Sequence, residues 1–170
     1  NMQIIENLAL ASRRGAHRGL GPGVKHKEKE HYQELLKSLD LGLEDRLTSK
    51  VGLLSGGQRQ AITLLMATMC KPKLLLLDEH TAALDPKTAK KVLDLTEKIV
   101  AENNLTTIMI THNMKDAIAI GNRLIMMNDG KIIYDVEGDE KKALTTADLL
   151  AKFKLTSGEE LDDDKILLSE

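Results

Sequence analysis

The chain has 170 residues, room for one domain and too little for two comfortable ones. Its 24 basic and 26 acidic residues leave a net charge of -2, and 42% of its residues are apolar, an ordinary share for a protein with a buried core. Two Tyr, one Phe and no Trp argue against the aromatic platform of a single-strand nucleic-acid binder and against an aromatic-caged pocket. The core must therefore come from Leu, Ile, Val, Met and Ala. Cys70 is the only cysteine, so no intramolecular disulfide can form. No run approaches the ~18 consecutive apolar residues of a membrane span. Asn1–Leu10 has neither a basic start nor a cleavage site, so no secretory signal is expected and a soluble, cytosolic chain is.

The N-terminal part reads as helical. A helix is expected over residues 3–18, then a loop over Gly19–Gly23 with three Gly and one Pro. Residues 13–29 hold six basic side chains against Glu28 alone, which reads as a solvated loop; nucleic acid is not expected as a partner. Tyr32, Leu35, Leu36 and Leu39 fall at i, i+3, i+4 and i+7, one face of a second helix, with Gly42 as its left-handed cap. Ile62, Leu65, Met66 and Met69 repeat that spacing in a third helix, about 56–70, stopped by Pro72.

The pattern then changes. Leu74–Leu77 is an unbroken apolar run, and Thr106–Ile110 and Leu124–Met127 are similar, with helical stretches at 87–103 and 114–120 between them. Strands apolar on both faces that alternate with helices predict a buried parallel sheet. Asp129-Gly130 predicts a hairpin pairing 123–128 with 132–136. A short helix is expected over 145–154, and a loose acidic tail beyond Thr156. Three regions result: 1–71 helical, 72–137 α/β, and 138–170 as helix and tail.

Three segments could carry chemistry. Leu74-Leu75-Leu76-Leu77-Asp78-Glu79 is a strand ending in two carboxylates, at the sheet edge where such folds bind ligands. Alternation would send the two acids to opposite sides, one towards a metal and one towards a water. Leu54-Ser55-Gly56-Gly57-Gln58 opens a helix, whose free N–H groups and positive dipole end suit an anion. Ser55 equally suits a plain N-cap. Thr111-His112-Asn113 ends the next strand, where the histidine either meets a phosphate or sits as an ordinary loop histidine. Cys70 and the seven methionines read as core filler.

Taken in order, Leu54–Gln58, Leu74–Glu79, Ala82-Ala83-Leu84-Asp85 and His112 resemble the ATP-binding-cassette (ABC) ATPase family, from about Ile4 to about Val136. The spacing resembles that of bacterial import-type members. The resemblance implies an α/β fold, a partial P-loop NTPase core of ABC type with a mostly helical N-terminal subdomain that carries the signature. It implies ATP and Mg²⁺ as cofactors. Asp78 would hold the metal through a water, Glu79 would be the general base, and His112 would contact the γ-phosphate. Ser55, Gly56, Gly57 and Gln58 would face a nucleotide held by a second ATPase subunit, and Asp85 would couple the two sites. His80 stands where proline is most common in the family. The implied partners are transmembrane permease subunits and a second cassette, identical or not, at the cytoplasmic face of a membrane.

One element is missing from the sequence. Gly-x-x-x-x-Gly-Lys-Ser/Thr occurs nowhere: Gly52 and Gly57 have the glycine spacing, but Gln58-Arg59 follows. The chain thus looks like the C-terminal part of a cassette, with the central P-loop strand missing. Such a gap would leave two apolar strand edges between 106–110 and 123–128, to be closed or covered by association. Two other readings remain: a non-transport member of the family acting on DNA or ribosomes, and a non-enzymatic interaction fragment.

Overall fold

The computed structural model describes residues 2–15 and 26–157. They fall into two compact units that divide between Met109 and Ile110. The loop expected at Gly19–Gly23 and the acidic tail after residue 157 lie outside the described residues.

In the first unit, helix α1 spans Ile4–Ser12. Its start is fixed by a capping box: the Gln3 amide donates to Glu6 Oε2 at 2.7 Å. The next amides, of Ile4 and Ile5, donate to the carbonyls of Ser49 and Leu47, so helix-end donors find partners in the loop before the signature. The helix is shorter than expected, ending in a turn at residues 13–15. Arg13 lies within 3.0 Å of Glu28, so the basic segment is pinned at one point rather than wholly solvated.

Helix α2, His26–Lys37, buries the expected face. Tyr32 and Leu36 are fully enclosed, and the Tyr32 hydroxyl meets Ser12 Oγ at 2.9 Å. Leu39 is buried too, but from the turn that follows the helix. Gly42 is left-handed at φ 65°, as expected. It does not cap the helix, which ends five residues earlier, and Asp40 is already left-handed at φ 53°. Helix α3, Gly56–Thr68, packs Ala61, Ile62, Leu64 and Leu65 into the same core as Ile4, Leu8 and Leu43.

Strand β1, Leu75–Asp78, follows, then helix α4, Pro86–Asn103, then strand β2, Thr107–Ile110. β1 and β2 neighbour each other in a two-stranded sheet. The mixed α/β class is as expected, whereas the expected burial of both faces is not seen. Leu75 and Leu77 enter the core, but Leu76 is 66% exposed, Ile108 53% and Ile110 55%. An unbroken apolar run promises two covered faces, and only one is covered here.

In the second unit, helix α5 spans Met114–Ala119, and strands β3, Arg123–Asn128, and β4, Lys131–Glu137, form the expected antiparallel hairpin. Asp129 and Gly130 both take positive φ, 48° and 73°, the backbone that a two-residue turn with right-handed strand twist requires. Helix α6, Gly138–Lys142, was not expected, and helix α7 covers Thr146–Ser157. Leu124, its pair Val136, and Leu149 from α7 form the small core. Lys141 is buried yet satisfied, donating to the Ile118 and Ile120 carbonyls where α5 ends.

One smaller expectation fails and another holds in part. Cys70 is exposed rather than buried, its thiol 3.4 Å from the Ala11 carbonyl. None of the methionines is fully buried: five lie at the margins of the two cores, and Met2 and Met127 are exposed.

Candidate active site

Ser55 is the N-cap of α3, in extended backbone. Its hydroxyl oxygen accepts from the Gln58 amide at 3.2 Å, and Gln58 Oε1 accepts from the Ser55 amide at 3.2 Å. This reciprocal box uses the side chains that the sequence left open between helix cap and anion site. The hydroxyl hydrogen of Ser55 is not needed for the box, so capping leaves Ser55 a donor. Gln58 also donates to the Leu41 carbonyl at 3.3 Å, fixing its amide from the other side.

The glycines answer to a second constraint. A Cβ on Gly57 would lie 2.2 Å from Thr88 Cγ2, and one on Gly56 would lie 2.9 Å from Leu84 Cδ2. The start of α3 therefore packs directly on the start of α4. Asp85 caps α4, accepting from the Thr88 amide at 3.1 Å. The Thr88 hydroxyl, and after it that amide bond, hold the Asp85 carboxyl below the usual carboxylate range. The structure thus brings Ser55–Gln58 and Leu84–Asp85 together through Thr88, a residue that the sequence did not single out.

Asp78 is the last residue of β1 and Glu79 is the next, both exposed. Glu79 has left strand geometry altogether, at φ 43°. Its direction is set by the turn, not by strand alternation. A left-handed non-glycine residue costs on the order of 1–3 kcal/mol and persists only where its surroundings impose it. The turn is closed by the Ala82 amide donating to the Glu79 carbonyl at 3.0 Å. Beside it, His80 Nε2 sits 3.1 Å from Thr96 Oγ1 on α4.

His112, in the second unit, is exposed between β2 and α5. Its neighbour Asn113 caps α5, accepting from the Lys115 and Asp116 amides.

No group of three or more His, Cys, Asp or Glu side chains among the described residues could cage a metal. One exposed carboxylate at a strand end is nonetheless compatible with Mg²⁺. That ion keeps most of its waters and binds through one or two carboxylates together with substrate phosphates.

Capped signature, strand-end acids and a second capped helix are the parts of an ATP-binding cassette. The family model described as ABC transporter matches residues 1–82 of the chain. The chain is 47% identical, over 91% of its own length, to a tyrosine transport ATP-binding protein of Clostridioides difficile, of which it covers 61%. It is 38% identical, over 78% of its length, to a methionine import ATP-binding protein of Streptococcus pneumoniae, of which it covers 38%. Among solved structures, a dimeric cassette in a post-hydrolysis state with ADP and Pi is 30% identical, with a TM-score of 0.63, over 80% of this chain and 56% of that one. A cassette in its ADP conformation matches at TM-score 0.67 over 99% of this chain and 63% of that one; at 23% identity it shows the fold alone. The chain thus spans between about two fifths and three fifths of the length of these curated relatives.

Proposed function

We propose that this chain is the signature- and acid-bearing part of an ATP-hydrolysing subunit that powers solute transport through an ABC transporter. The observation that carries the proposal is the joined geometry of the first unit: a boxed Ser55–Gln58 helix start seated on the Asp85-capped helix, and a strand delivering Asp78 and Glu79.

In this reading the Glu79 carboxylate accepts the proton of the attacking water. Asp78 would hold Mg²⁺ through a water, and that ion, when bound with ATP, supplies charge neutralisation on the phosphates. His112 would donate to the γ-phosphate. Ser55, with the amides of Gly56, Gly57 and Gln58, would face the nucleotide of a second cassette, and Asp85 would link the two sites. The dimeric relative supports the second subunit, and the relatives named for transport support permease partners and a peripheral place at the membrane. No helix among the described residues is long and apolar enough to cross a membrane. Two relatives are named for amino acids, so an amino acid is the solute class to test first.

The phosphate grip would come from a P-loop outside this sequence. The test is ATP turnover by the longer protein that carries it. Glu79→Gln should lower kcat by roughly 10²–10⁴, the usual contribution of a positioned general base. Turnover that survives the substitution would refute the assignment.

A further inference from the structure

We propose that His80 is a positioning residue for Glu79, anchoring through Thr96 the turn that holds the Glu79 backbone left-handed. The inference rests on the reading of Glu79 as the general base and deepens it.

Thr96 Oγ1 has one hydrogen, and it is donated to the Val92 carbonyl at 2.8 Å. Towards His80 the oxygen can therefore only accept, so Nε2 carries the hydrogen at 3.1 Å. Thr96 is 3% exposed, which shields the bond from competing water and makes its loss costly for the stranded partner. Its place is fixed by its neighbours on the buried stripe of α4, Val92 and Ile99.

The mechanical consequence follows from position. Glu79 lies between Asp78, held in β1, and His80, held against α4. With both neighbours tied and the turn closed from the Ala82 amide, the φ of 43° is the backbone that joins them. Release of His80 frees one end, and Glu79 can relax towards ordinary φ and swing its carboxylate away. A misplaced base slows the proton transfer and leaves nucleotide binding, which depends on other residues, unchanged.

Two measurements test this. In the 170-residue chain, nitrogen-15 NMR should find the neutral His80 ring protonated at Nε2. Thr96→Val should speed exchange of the Ala82 amide at least tenfold. An unchanged Ala82 amide in a folded Thr96→Val chain would overturn the anchor.

In the longer protein, His80→Ala should lower kcat at least tenfold with the Mg-ATP dissociation constant within twofold. His80→Gln, which keeps a donor at similar reach, should recover most of the loss. Full kcat in His80→Ala beside a dead Glu79→Gln would overturn the inference and leave the base assignment standing. Full kcat in Glu79→Gln would remove the base assignment, and the inference with it.

Discussion

The three-helix core and the β1–β2 sheet are built from the same few aliphatic side chains, and they end in different conditions. Ile4, Leu8, Leu36 and Leu43 are sealed from water, whereas Leu76, Ile108 and Ile110 stand more than half exposed. The difference lies in what each pattern can say. A helical stripe with a period of 3.6 separates an apolar side from a polar one, so it names its own buried face. An all-apolar strand promises cover on both faces without saying where the second cover comes from. The helices close their core within the described residues; the strands close only one side.

Leu36→Ala in the 170-residue chain should cost about 2–5 kcal/mol by urea denaturation, through lost transfer energy and the cavity left behind. A loss under about 1 kcal/mol would mean that the helical core is not sealed as described.

Next comes the seat of α3 on α4. Gly57→Ala would normally favour a helix by about 0.5–1 kcal/mol. Here the clash with Thr88 should outweigh propensity and destabilise by about 1–3 kcal/mol. Adding Thr88→Ser, which removes the offending methyl, should restore most of the loss. A stabilising Gly57→Ala would show that the helices do not touch there.

At the bare sheet face, Leu76→Thr should change the stability of this chain by no more than about 0.5 kcal/mol. A loss as large as that of Leu36→Ala would mean that the face is covered in solution.

The smallest effect is electrostatic. The folded Asp85 carboxyl lies below its ordinary value because Thr88 donates to it. The stabilisation is therefore complete above about pH 4 and is lost as pH falls through the lowered folded value. The stability gap between the native chain and Asp85→Ala should narrow only in that acidic range. Narrowing near neutrality would contradict the assignment.

Much of this was legible in the residues. The Tyr32–Leu36 face, the Asp129-Gly130 turn and the Ser55 cap are local signals, and local physics decides them. The contact between Gly57 and Thr88 joins residues 31 positions apart, and no local pattern encodes it. The left-handed Glu79 was equally hidden, because glutamate carries no preference for that backbone. One signal was available: Thr96 interrupts the apolar stripe of α4, and a buried hydroxyl that gives its hydrogen to Val92 keeps lone pairs for a donor from outside the helix. His80 is that partner. Cys70 misleads because its type favours burial only on average.

In the proposed reading, this chain holds the hydrolytic acids and the signature without the grip on the nucleotide. Calorimetric titration of Mg-ATP into the 170-residue chain tests it most directly. No binding is expected at micromolar concentrations, because the sequence holds no Gly-x-x-x-x-Gly-Lys-Ser/Thr loop to cradle the phosphates. A micromolar dissociation constant would contradict it.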